Sequence, residues 1–161
     1  VFEHGIVIVR AADRIQPVAP ASRGAMTDAR QQPPTRVLII DDDATTLECF
    51  EQMLIEQGYD VRGAQSVEEG LAAAANHAPD AVFLDFHLPV MDGLQALRRL
   101  RGAPLHLATP VAILTGDYFL DEEVARELRT LGARIHFKPV WDTDLRQIVE
   151  ALVSHRTGQL Q

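Results

Sequence analysis

Several things are scarce in this sequence, and each shortage excludes a class of protein. Among 161 residues there is one cysteine, Cys49, so no disulfide can close within the chain and nothing points to an oxidising compartment. Cys49 is expected as a core or half-buried thiol on a helix. No apolar run approaches the roughly 18–20 residues of a membrane span, and the longest near the start, Ile6 to Val9, is too short for a signal peptide. A cytoplasmic location is expected. Positive charge is short as well: the formal net charge is −8, which argues against nucleic acid or an anionic membrane as partner, because phosphate binding needs a basic face. Lysine is scarcest of all, since of 15 basic residues every one is arginine except Lys138.

What is present suffices for a core. A hydrophobic content of 47% over this length allows one ordinary domain plus an appendage. Residues 1–34 carry Pro17, Pro20, Pro33 and Pro34 among Ala, Ser, Gln and Arg, a composition that buries little and reads as a flexible extension. The first methionine is Met26, an alternative start for the working protein. The domain is expected over residues 35–155, with 156–161 as a short tail.

From Arg36 onward strands and helices alternate. Val37 to Ile40, Ala81 to Leu84 and Val111 to Leu114 are apolar without interruption, the pattern of parallel strands covered on both faces. Tyr59 to Arg62 and Arg134 to Phe137 are shorter candidates. Between them, Leu47, Phe50 and Leu54 keep helical spacing up to Gly58, and Ser66 with Glu69 forms a capping box ahead of Leu71, Ala74 and Ala75. Asp92 caps a helix carrying Leu94, Leu97 and Leu100 that stops by Gly102. Asp121 precedes Val124, Leu128 and Leu131 before Gly132, and Asp142 caps the last helix, with Leu145, Ile148, Val149 and Leu152. Five such alternations predict an open doubly wound α/β domain with right-handed crossovers. The strand order is not visible in this pattern.

Ligands of such folds sit beyond the carboxyl ends of the strands. There the chain places Asp41, Asp42 and Asp43, then Asp85, then Thr115-Gly116-Asp117, then Lys138-Pro139. One acid of the first three can cap the following helix. The rest need another account, because two carboxylates ~4 Å apart cost about 4 kcal/mol at an effective dielectric of 20. A cation is expected, and oxygen donors without histidine or thiol favour Mg²⁺ over zinc. Lys138 supplies a mobile point charge and Thr115 a hydroxyl. Ringed around Asp85, these are parts that receive a phosphoryl group on a nucleophilic carboxylate.

The run Ile39 to Asp43, the stretch Leu84 to Gly93, Ile113 to Asp117 and Phe137 to Val140, in this order and spacing, resemble the receiver domain of bacterial two-component response regulators over about residues 35–155. The resemblance implies a flavodoxin-like five-stranded parallel sheet of order 2-1-3-4-5 with five flanking helices. It implies Asp85 as phosphoacceptor, with Mg²⁺ held by Asp41, Asp42, Asp85 and the backbone carbonyl of His87. Thr115 and Lys138 would contact the phosphoryl oxygens, and the Lys138–Pro139 bond would be cis. The implied donor is a phosphohistidine on a sensor histidine kinase or histidine phosphotransfer protein. Such a chain is not an enzyme beyond catalysing its own phosphorylation and dephosphorylation. Output is expected through an unknown protein target at the face of the fourth helix, fifth strand and fifth helix, because few residues follow the last helix and none of them makes an effector domain.

Two features depart from the family pattern. Gly132 to Lys138 is one residue short, and the position three before the lysine, often an aromatic switch, is Ile135. Two other readings compete. Asp41-x-Asp43-x-Thr45 matches the first motif of haloacid-dehalogenase-like phosphatases, with Asp41 as nucleophile, but that reading leaves Asp85 without a role. An interaction module that ignores phosphorylation is the other.

Overall fold

A computed structural model of the chain describes residues 33–158. The expected extension over residues 1–34, with the alternative start at Met26, lies outside the described residues apart from its last two. The described residues alternate strand and helix: β1 Arg36–Ile40, α1 Ala44–Glu56, β2 Asp60–Ala64, α2 Val67–His77, β3 Ala81–Asp85, α3 Gly93–Arg101, a 3₁₀ turn Pro104–His106, β4 Val111–Thr115, α4 Glu122–Thr130, β5 Ala133–Phe137 and α5 Asp142–Gly158. All five strands are parallel, in the order β2-β1-β3-β4-β5.

The continuous apolar runs are explained by burial on both faces. Leu38, Ile40, Val82, Leu84, Val111 and Ile113 pack in one layer with Ala74 of α2, Leu97 of α3 and Leu128 of α4. The alternate residues Val37, Ile39, Ala81, Phe83, Ala112 and Leu114 pack with Leu47, Phe50 and Leu54 of α1 and with Leu145, Val149 and Leu152 of α5. Side chains alternate across a strand, so each central strand feeds both layers. The edge strands β2 and β5 have partly exposed positions, which is why they show only as short, mixed segments in the sequence.

Helix starts follow the expected caps. Asp43 accepts from Thr45 N, Ser66 from Glu69 N, Asp92 from Gln95 N and Asp121 from Glu123 N and Val124 N. The Ser66 box is reciprocal with a shift: the Glu69 carboxylate accepts from Gln65 N at 3.0 Å. Gly58 and Gly132 close α1 and α4 at φ +90° and +79°, where a side chain would be strained.

Three expectations are corrected. Cys49 lies on α1 but is exposed, because the buried stripe of that helix is Leu47, Phe50 and Leu54 and Cys49 falls off it. Asp142 is the first residue of α5 rather than its cap: Leu145 N donates to Trp141 O, and Asp144 accepts from Trp141 N at 3.0 Å. Tyr59 precedes β2, packing against the α1 and α5 layer.

Candidate functional site

The sheet order sets the site. β1 has β2 on one side and β3 on the other, so the chain winds in opposite directions from β1 and leaves a crevice at the carboxyl ends of β1 and β3. Asp41 follows β1 directly and Asp85 ends β3. Both are drawn out of water, at 3% and 6% exposure, while Asp42 faces solvent. Carboxylate oxygens of Asp41, Asp42 and Asp85 lie within 4.8 Å of one another. No other group of this kind occurs among the described residues.

Lys138 reaches this cluster from the end of β5. Its Nζ donates to Asp41 Oδ2 at 2.9 Å and to Asp85 Oδ1 at 2.7 Å. The second oxygen of Asp85 accepts from the backbone N–H of His87 at 2.9 Å, and Asp41 Oδ1 accepts from Asp43 N at 3.0 Å. Each buried acid is thus held by an ammonium and a main-chain donor. Burial still raises the Asp85 carboxyl above the usual range, against the lowering by Lys138. For Lys138, burial pulls the ammonium down, but its hydrogen bonds to Asp85 and Asp41 outweigh this and raise it. The lysine therefore stays charged.

The remaining candidates lie around this centre. Thr115 ends β4 with its side chain fully buried, its carbonyl accepting from Lys138 N at 2.7 Å. Its Oγ1 accepts from Asp117 N at 3.0 Å, so the hydroxyl serves the loop after β4 rather than Asp85. His87 contributes its backbone, while its imidazole meets Phe86 edge-on with ring centres 5.1 Å apart. The Lys138–Pro139 bond is cis. Nothing lies within 4 Å of where a side chain on Gly116 would begin, so the mouth of the site is open there. Asp43 turns away to α1, accepting from Thr45 N and from Thr46 Oγ1, which lowers its carboxyl from the ordinary value. A phosphatase using Asp43 as free acid/base is not favoured by that engagement.

One contact is not legible in the sequence. Tyr118 stacks on Phe137, ring centres 5.2 Å apart and 9° from parallel, and its hydroxyl donates to the Lys138 carbonyl at 2.6 Å. Tyr118 has no periodic or motif context. The aromatic character of Tyr118 and Phe137 was the available signal.

A metal fits these donors. Three carboxylates against one ammonium leave a formal excess of two negative charges, and the donors are hard oxygens, as a hydrated divalent ion such as Mg²⁺ requires. No helix among the described residues is long and apolar enough to cross a membrane.

Comparison with known proteins places the chain in a family. Residues 37–150 match the family model described as response regulator receiver domain. The response regulator MprA of Mycobacterium sp. (strain KMS) is 40% identical over 92 residues, which cover 57% of this chain and 39% of that protein. The transcriptional regulatory protein PdtaR of Mycobacterium tuberculosis is 32% identical over 133 residues, covering 81% of this chain and 62% of that one. The chain spans less than two thirds of these relatives. A CheY-like receiver domain from Methanospirillum hungatei JF-1 superimposes with TM-score 0.71 at 28% identity, over 78% of this chain and 98% of that one. A response regulator from Chloroflexus aurantiacus J-10-fl gives 0.66 at 34% identity, over 75% and 98%. With the family model matched over residues 37–150 and the sheet order of its fold in agreement, the chain belongs to the response regulator receiver domain family.

Proposed function

We propose that Asp85 accepts a phosphoryl group from a phosphohistidine on a sensor histidine kinase or histidine phosphotransfer protein, and that the phosphorylated domain signals to a protein target. The observation that carries this is Lys138 bridging Asp41 and Asp85 with the His87 N–H on the other Asp85 oxygen. The acceptor is thereby oriented before a donor arrives. A lone pair on Asp85 attacks phosphorus while the phosphorus–nitrogen bond breaks, its electrons pass to the imidazole nitrogen, and that nitrogen takes a proton. Lys138 and Thr115 stabilise the charge on the phosphoryl oxygens. Water later cleaves the new oxygen–phosphorus bond and returns Asp85.

Asp41, Asp42, Asp85 and the His87 carbonyl would hold Mg²⁺, which when bound supplies positive charge to the phosphoryl oxygens. The chain's own chemistry is limited to this gain and loss. The formal net charge of −8 supports a protein target over nucleic acid, and a cytoplasmic site accords with a phosphohistidine donor.

The test is intact mass after incubation with acetyl phosphate and Mg²⁺. One phosphoryl group is expected on the wild type and none on Asp85→Asn. No gain on the wild type would overturn the reading. Hydrolytic turnover that survives Asp85→Asn but is lost in Asp41→Asn would establish the phosphatase instead.

A further inference from the structure

We propose that Tyr118, stacked on Phe137, is the positioning residue through which occupancy of Asp85 reaches the loop between β4 and α4, in place of an aromatic at the Ile135 position of β5. This rests on Asp85 being phosphorylated. The position on β5 where the family resemblance implied an aromatic is Ile135, which packs against the layer that includes Leu128 of α4. It cannot swing without emptying a packed site. Tyr118 is placed differently. The residue is 62% exposed and its ring lies on that of Phe137, itself 45% exposed, so the stack can part without opening the core.

The loop is tied at two points, and both tie to phosphoryl-binding candidates. On one side Asp117 N donates to Thr115 Oγ1 at 3.0 Å, and Phe119 N donates to Asp117 Oδ1 at 2.8 Å. On the other, Tyr118 Oη donates to the Lys138 carbonyl at 2.6 Å. Lys138 N in turn donates to the Thr115 carbonyl at 2.7 Å. Thr115 has one hydroxyl. When its side chain rotates about χ1 to carry the hydroxyl to a phosphoryl oxygen, Oγ1 moves out of reach of Asp117 N–H, and the loop moves with Tyr118 one residue beyond. Lys138, re-aimed from Asp41 toward the new oxygens, shifts the carbonyl that Tyr118 holds. A change at Asp85 thus pulls on both ties at once. What leaves the site is the position of Tyr118 and of the exposed Phe119 beside it, 94% accessible.

The experiment is amide hydrogen exchange of a peptide spanning residues 116–121, with intact mass counting the phosphoryl load, on the full chain with and without acetyl phosphate and Mg²⁺. In the wild type, phosphorylation is expected to change exchange of this peptide. Tyr118→Phe, which keeps the stack and loses the hydroxyl, and Phe137→Leu, which loses the stack, are expected to take the same phosphoryl load. Their unphosphorylated loops should exchange about threefold to tenfold faster, and the phosphorylation-linked change should fall at least about twofold. Phe119→Ala should behave as wild type. If both variants keep the full change at equal load, or if Phe119→Ala loses it equally, the assignment to Tyr118 is overturned. A wild type that gains the phosphoryl group with no change in the loop overturns the coupling alone. One that gains none overturns the receiver reading and this proposal with it.

Discussion

Lys138 stands between two acids that water hardly reaches, with side-chain exposures of 4% for Asp41 and 7% for Asp85. Removing it leaves both charges desolvated and facing each other. We predict that Lys138→Met destabilises the metal-free domain by about 3 kcal/mol in urea unfolding, and that Mg²⁺ stabilises the variant more than the wild type. Equal Mg²⁺ effects would mean that the lysine does not offset the acids. Asp42 is the opposite case, a solvent-facing carboxylate beside two buried ones. Relieving its repulsion should raise the melting temperature of metal-free Asp42→Ala by roughly 2–4 °C and abolish stabilisation by Mg²⁺. A lower melting temperature would contradict the crowding. At this scale Lys138 was legible because it is the one lysine among arginines. The hydroxyl direction of Thr115 was not, because a rotamer is chosen by neighbours that are distant in sequence.

Between β3 and α3 the chain turns within a few residues, and Gly93 makes that turn possible. Its N–H donates to the Phe86 carbonyl at 2.8 Å, and a Cβ there would lie 2.9 Å from Phe86 Cα and 3.2 Å from the Asp85 carbonyl. Backbone cannot yield as a side-chain tip does. Gly93→Ala should therefore cost about 1–3 kcal/mol, despite the better helix propensity of alanine, and slow the mass gain from acetyl phosphate by displacing Asp85. Unchanged stability and rate would show that the turn relaxes freely. Elements with strong local signals are legible in the sequence: helices capped by Ser66, Asp92 and Asp121, and strands apolar on both faces. β2 starts one residue and ends two residues beyond the expected segment, and α5 starts one residue before it, because edge pairing and the Asp144 contact to Trp141 N decide those ends. Cys49 shows a limit of the same kind, since residue type suggested burial while its angle around α1 placed it outside.

Away from the site, buried His106 and half-buried His136 have buried Nε2 atoms with no hydrogen-bond partner among the described residues. His106 is 4% exposed and bonds only through Nδ1 to Thr109 Oγ1, and His136 lies on β5. Burial lowers both below the ordinary histidine value, with Arg101 and Arg134 acting in the same direction. Below that ordinary value the unfolded chain binds protons that the folded one refuses. Stability must then fall as pH falls through the window between the unfolded and the lowered folded values. Unfolding free energy measured between about pH 7 and about pH 5 should slope less steeply in His106→Gln/His136→Gln than in the wild type. Equal slopes would assign the dependence to other groups. At the scale of the whole molecule, sequence alone determined which segments are strands and helices and which residues end the strands, because burial periodicity and capping act over a few residues. The tertiary structure decided what those ends do together. Lys138 is separated from Asp41 by 97 positions and from Asp85 by 53. They meet because two helix layers bury opposite faces of one sheet and bring β1 and β3 side by side. The same packing carries Tyr118 onto Phe137 and the Lys138 carbonyl, a contact that depends on the register of β4 with β5 and on no local pattern.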